Sequence, residues 1–278
     1  MLAIAGAGDL AGALAHRAAA RGRFREVRLI DDTGTVAAGK ALDIRQAGPV
    51  DGYDTRLAGH TGLDAFRGAS VITIADRPGG GEWEGDAALQ LIASLLPVAG
   101  KAPLLFAGAR QRWLMEAAHR ELKVPASRMV GSAPVAFDAA LTSLAALAAD
   151  RSALEIALHA YGRPPDHPVI AWDSAVCGAA PLERVLAPHE RLAISERAKG
   201  LWPPGPVALA SAAARVADAL AFGTRREFTC FVFADRQLLP HGTAAAMPVA
   251  LGAGGVLNVK RPALSPREQV AFDTAVQG

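Results

Sequence analysis

Leu2-Ala3-Ile4-Ala5-Gly6-Ala7-Gly8-Asp9-Leu10-Ala11 opens the chain as an apolar run, a turn of small residues, and the start of an Ala-rich segment that reaches Arg21. Residues 6–11 fit G-x-G-x-x-G/A between a strand and a helix. Each small residue has a mechanical job. Gly6 permits the tight turn, Gly8 lets a pyrophosphate approach the backbone, and Ala11 lets helix and strand pack closely. The helix start then offers free N–H groups and a partial positive charge to phosphates. In a chain this rich in Gly and Ala, the motif alone also fits a plain strand–helix turn. Asp31 strengthens it: it lies twenty residues beyond Ala11, at the end of a second strand over 27–30. A carboxylate there accepts from a ribose 2′-OH and repels a 2′-phosphate, which favours NAD over NADP. The expected cofactor contacts are Gly6, Ala7, Gly8, Asp9, Leu10, Ala11 and Asp31.

Working outward, strands and helices alternate through the first 131 residues. A helix is expected over 38–46, strands over 55–58 and 70–75, a helix over 86–99, a strand over 104–107 and a helix over 111–122. Such alternation implies a parallel sheet with helices on its faces. Past Gly131 the pattern changes to a small-residue helix over 136–149, a strand over 154–159, and the Pro-rich stretch Gly162-Arg163-Pro164-Pro165-Asp166-His167-Pro168. A long Ala-rich helix follows over 206–222, then antiparallel strands over 227–233, 248–251 and 256–260. Ser265, Pro266 and Glu268 supply the N-cap, N1 and N3 positions of a capping box for a final helix. The fold class is α/β: a Rossmann-like, dinucleotide-binding domain over 1–132, then an α+β domain of substrate type over 133–278.

Composition narrows the function. The chain has 278 residues, 51% hydrophobic and 20% charged, with 29 Lys and Arg against 27 Asp and Glu. That apolar content builds a real core and excludes a disordered chain. Charges are balanced and scattered, so no nucleic-acid partner is expected. No apolar run approaches the length of a membrane span, so no membrane partner is expected. Cys177 and Cys230 alone make neither a disulfide framework nor a zinc site, pointing to a reducing cytosol and no metal.

Two further stretches carry a resemblance. Val27-Arg28-Leu29-Ile30-Asp31, then Gly39-Lys40-Ala41-Leu42-Asp43-Ile44 and Gln46-Ala47-Gly48-Pro49-Val50, resemble the second strand and following helix of malate and lactate dehydrogenases. Met247-Pro248-Val249-Ala250-Leu251-Gly252, Gly254-Gly255-Val256 and Pro262-Ala263-Leu264-Ser265 resemble that family's late strands and the approach to its last helix. The resemblance covers most of the chain. It implies NAD, a small hydroxy or carbonyl acid as substrate, and assembly as a homo-oligomer of two or four chains.

The chemistry is where the chain departs. The family uses a His paired with an Asp, plus arginines that hold the substrate. The ungapped alignment places Pro164 where the His belongs, Phe137 where the Asp belongs and Ala140 where a substrate arginine belongs. Asp138 is one position off, a rotation of about 100° on a helix. The loop over 78–85 carries no arginine, and Gly108-Ala109 replaces the family's Asn-Pro. Gly and Ala offer no substitute for a bidentate guanidinium. The only candidates for a rebuilt site are His167, Asp166 and Arg77. His159 reads as a hydrogen-bonded or exposed strand residue, and Gly79-Gly80-Gly81 as a flexible connection that carries an unexplained Trp83. The expectation is an NAD-binding pseudoenzyme. The alternatives are a divergent oxidoreductase and a non-catalytic oligomeric scaffold.

Overall fold

Strand β1 (Leu2–Ala5) is buried at every position. A strand apolar on both faces needs cover on both, and a parallel sheet between helix layers supplies it. In this computed structural model, which describes residues 1–277, β1 is central. It pairs in parallel with β2 (Glu26–Ile30) on one side and β4 (Val71–Ile74) on the other, with α1 (Asp9–Ala20) between β1 and β2 in sequence. Helix α2 (Gly34–Asp51) leads to β3 (Arg56–His60), which pairs with β2. A short hairpin, β5 (Asp76–Arg77) and β6 (Gly81–Glu82), precedes α3 (Gly85–Ala99), β7 (Leu104–Phe106), α4 (Arg112–Leu122) and β8 (Met129–Gly131).

The second half runs through α5 (Ala133–Ala149), β9 (Ile156–Ala157), β10 (Ala160–Arg163), β11 (His167–Ile170), β12 (Val176–Cys177) and β13 (Ala180–Pro181). It continues with α6 (Pro188–Ala198), α7 (Pro206–Phe222), β14 (Glu227–Val232), β15 (Ala245–Gly252), β16 (Gly255–Val259) and α8 (Pro266–Gln277). The main sheet has the order β11-β10-β15-β14-β8-β7-β4-β1-β2-β3, with β16 beside β15. From β3 to β8 the pairs are parallel; from β8 onward they are antiparallel, joined where Phe231 faces Gly131. The α/β class with a parallel sheet is therefore present.

The Ala-rich α7 packs on α1 and over β4 and β7. Its buried face, with Ala210, Ala213, Ala214 and Ala217, is small enough for close helix approach, and Arg21, the C-cap of α1, closes the contact with an ion pair to Asp218. A second core gathers Phe137 and Leu141 of α5 with Ile156, Leu182 and Ile194.

Several boundaries differ from expectation. The strand expected over 154–159 is a 3₁₀ turn (Ala153–Glu155) followed by the two-residue β9, and the longer strand is β10. Asp138 causes the shift: it captures the backbone N–H of Ala160 at 2.9 Å and so fixes where the ladder begins. The stretch expected as a flexible connection is the turn of the β5–β6 hairpin, closed by Asp76↔Glu82 and Arg77↔Gly81. Helix α2 extends well beyond 38–46 at both ends: Pro49 falls in its last turn without stopping it, and the helix ends only at Gly52, whose φ is +79°.

Candidate functional site

The sheet order fixes where a ligand sits. After β1 the chain builds β2 and β3 on one side, then crosses to β4, β7 and β8 on the other. The carboxyl ends of β1 and β4 therefore flank a crevice at a topological switch point, the place where open α/β sheets bind ligands. Gly6 turns the chain here with φ +118°, a conformation that excludes a side chain, and its N–H donates to Ile30 O at 2.8 Å. Gly8 precedes α1, whose first N–H groups face the crevice. A methyl on Gly8 would overlap the Asp76 carboxylate.

Those donors are already engaged. Asp76, at the exit of β4, accepts from Leu10 N–H at 3.0 Å and Ala11 N–H at 2.8 Å. Burial pushes its carboxyl above the ordinary range, with the two N–H bonds and Lys40 opposing. Lys40 donates to Gly8 O at 2.7 Å and pairs with Asp9 at 3.3 Å, a cation beside the cradle. At the end of β2, Asp31 is buried. One of its oxygens accepts from Thr33 N–H at 2.9 Å, and the other, Oδ2, has no partner. An orphaned buried acceptor fits a ribose hydroxyl, while the N–H groups that would face a pyrophosphate are held here by Asp76.

The hairpin that carries Asp76 reaches a second loop. Glu82 accepts from Ala109 N–H and Arg110 N–H, both at 2.8 Å, in the turn after β7. Burial raises its carboxyl as well, again against the N–H bonds. Gln111, fully buried, ties the same turn to β4 by donating to Ala75 O at 2.8 Å and accepting from Gly108 N–H at 2.9 Å. The Trp83 N–H reaches Ala75 O at 3.3 Å, but its indole N–H is buried without an acceptor. Arg77 stacks 5.0 Å above the Trp83 ring.

A cleft of about 310 Å³ lies beyond this turn, lined by Ala109, Arg110, Arg112, Trp113, Pro164, Pro165, Trp202 and Pro203. The positions expected to hold the His and Asp are Pro164, in this lining, and Phe137, buried edge-on to Trp202 at 5.5 Å. Two guanidinium groups here escaped the sequence reading. Arg112 pairs with Glu116 at 2.8 Å, and Arg110 lies 3.8 Å from Glu84.

The sequence candidates are not brought together. Asp166 and His167 line a separate groove of about 1030 Å³ between β11, α6 and α8. Arg77 stays on the hairpin with Trp83. The imidazole that does gain a carboxylate is His159: its Nδ1 lies 2.7 Å from Asp138 Oδ2, and Thr229 Oγ1 is 3.1 Å from the same nitrogen. Asp138 is buried while the His159 side chain is half-exposed. The Asp138 hydrogen bond holds His159 above its ordinary pKa, against desolvation. With Nδ1 engaged, Nε2 is the atom left to exchange a proton. The signal available in the sequence was Asp138 itself, a carboxylate on a helix face that is otherwise apolar.

Cys177 and Cys230 are buried and free. Among the described residues, no group of three or more His, Cys, Asp or Glu side chains is placed to hold a metal ion, and no single helix is long and apolar enough to cross a membrane.

The parallel sheet, the Gly6 turn at the switch point and the antiparallel extension define a Rossmann-like architecture of the dinucleotide-binding kind. No protein-family model matches the chain. Curated relatives match along its whole length. The malate dehydrogenase of Thioalkalivibrio sulfidiphilus is 26% identical, covering 100% of this chain and 96% of its own. Malate dehydrogenase 2 of Rhodopseudomonas palustris is 28% identical, covering 99% and 93%. Among solved structures, malate dehydrogenase from Salinibacter ruber superposes with a TM-score of 0.88 at 22% identity, covering 99% and 94%. Lactate dehydrogenase from Cryptosporidium parvum, complexed with lactic acid and nicotinamide adenine dinucleotide, gives 0.87 at 19% identity, over 99% and 94%. The chain is thus similar to malate dehydrogenases along its full length and shares the fold of the malate and lactate dehydrogenases.

Proposed function

We propose that this protein is an NAD-binding member of the malate/lactate dehydrogenase family that lacks the family's usual hydride-transfer machinery. The observation that carries the cofactor half is the Gly6–Ala11 turn at the switch point with the unpartnered Asp31 Oδ2 beside it. The Gly6–Ala11 backbone would hold the pyrophosphate and Asp31 the adenosine ribose; the bound nicotinamide would supply the hydride chemistry. Lys40 adds a cation near the phosphates.

The substrate half rests on what lines the cleft. Pro164 and Trp202 offer no exchangeable proton, and Phe137 is part of a ring stack. General acid–base catalysis contributes about 10²–10⁴-fold to such reactions. The test is a titration of the purified protein with NADH and NADPH, followed by assays with malate, oxaloacetate, lactate and pyruvate. NADH binding tighter than about 1 mM, weakened by Asp31→Ala and without turnover, supports the proposal. Ordinary dehydrogenase rates would end it.

A second reading is an oxidoreductase with a rebuilt site for another carbonyl or hydroxy compound. The observation favouring it is the Asp138–His159–Thr229 cluster rather than His167, Asp166 or Arg77. In a substrate screen, this reading expects any turnover to vanish in His159→Ala and to survive in His167→Ala. The cytosol and a homo-oligomer belong to the proposal too; light scattering of the purified protein tests the assembly. A scaffold without cofactor is what remains if no nucleotide binds.

A further inference from the structure

Asp76 and Glu82 close the β5–β6 hairpin as register partners. Each carboxylate reaches a different loop at the carboxyl end of the parallel sheet. Asp76 takes two N–H groups at the start of α1, and Glu82 takes two N–H groups in the turn after β7. The hairpin leaves β4 between these loops, so it straddles the switch-point crevice from both sides. Neither contact leaves spare room. A single methyl at Gly8 would overlap the Asp76 carboxylate, and one at Gly108 would overlap that of Glu82. A carboxylate with two oxygens on adjacent backbone N–H groups does the work of a phosphate on a helix start.

We propose that the Asp76–Glu82 hairpin is an internal latch whose two carboxylates occupy the anion-binding positions of the dinucleotide crevice, so that NAD binds only by displacing them. This rests on the NAD-binding reading above and gives it a control element. NAD is the ligand because its pyrophosphate competes for the N–H groups of Leu10 and Ala11. No covalent bond forms or breaks; one anion gives up the Leu10 and Ala11 N–H groups and another takes them.

The latch is built to open. Its turn is Pro78-Gly79-Gly80, and Gly79 and the first strand residue after the turn, Gly81, both have positive φ. The closed hairpin buries the Trp83 indole N–H without an acceptor, a cost that opening removes. Both carboxylates are desolvated when closed and regain water when open. Arg77 on the Trp83 ring and Arg110 near Glu84 hold the outer side of the hairpin.

The test is an equilibrium titration with NADH, read by nicotinamide fluorescence, on the full-length wild type, Asp76→Ala, Glu82→Ala and the double variant. Circular dichroism checks that each is folded. Removing a charge-assisted competitor is expected to tighten NADH binding about tenfold or more in Asp76→Ala, and by a smaller factor in Glu82→Ala. Asp76→Asn, which keeps the side chain's size and removes the competing charge, decides the matter if Asp76→Ala does not fold. A wild type that binds NADH as tightly as the folded variants overturns the latch and leaves the cofactor reading standing. Absence of binding in every folded variant overturns both.

Discussion

The carboxyl end of β1 and the cleft beside Pro164 sit in one sheet, yet they keep different things. At β1 the binding features are backbone: a positive-φ Gly6, a bare Gly8, the N–H groups of α1. The family's substrate chemistry is side-chain: an imidazole, a carboxylate and guanidinium groups, for which the ungapped alignment offers Pro164, Phe137 and Ala140, the first of them in the cleft lining. A backbone site is made by the fold and lasts while the fold does. A side-chain site depends on single residues and can be lost without cost to the core; on the proposed reading Phe137, packed edge-on to Trp202, is such a replacement.

The comparison breaks first on activity. Pro164→His alone should give no measurable turnover with malate or lactate, because Phe137 still supplies no carboxylate to orient the imidazole. A steady-state rate in that single variant would mean that the cleft had kept its other parts. Next comes stability in the second half. Asp138→Ala removes the acceptor for His159 and for the buried Ala160 N–H, and should cost about 2–3 kcal/mol in denaturant unfolding. His159→Gln keeps a donor near Asp138 and should cost under about 1 kcal/mol, since the imidazole is half-exposed.

His159 also sets a pH dependence. Its folded pKa is raised, so its contribution is fully present below the ordinary imidazole pKa and is lost as pH rises through the folded value. The stability gap between wild type and His159→Gln should therefore narrow on going alkaline. A gap that widens would reverse the assignment.

In the first half, Gly8→Ala should destabilise by about 1–3 kcal/mol through overlap with Asp76. The penalty should shrink in an Asp76→Ala background, and a double-mutant cycle measures that coupling directly. The smallest expected effect is the pH dependence of NAD affinity. Asp76 and Glu82 have raised pKa values when latched and ordinary ones when released, so opening sheds protons. Affinity should tighten as pH rises from the ordinary carboxylate range through the raised values, and calorimetry with the Asp76→Ala, Glu82→Ala double variant should show a flat profile.

Local signals made much of the fold legible. The small residues of 6–11 gave the turn into α1. The helix expected over 86–99 is α3 with one residue added at its start. Half of the capping box expected at Ser265 is present: Ser265 N–H donates to Glu268 at 2.9 Å, the Ser265 hydroxyl donates to the same carboxylate at 3.0 Å, and Glu268 also accepts from Trp172 N–H at 2.7 Å. That last bond crosses 96 positions, and no local pattern foretells it. The same limit hid the main features of the site. Asp76 meets Leu10 from 66 residues away, and His159 meets Asp138 across 21 residues and a shift in strand start. Asp31 follows β2 as the sequence indicated, but its burial and the bond its N–H makes to His60 O depend on β3, far along the chain.

The central claim separates binding from transfer, and one experiment addresses both. Protein saturated with NADH is mixed with excess oxaloacetate, and in parallel with pyruvate, while the fluorescence of the bound nicotinamide is followed. The account predicts a bound signal that persists in both. Loss of that signal at rates on the order of 1 s⁻¹ or faster, within the ordinary enzyme range, would contradict it.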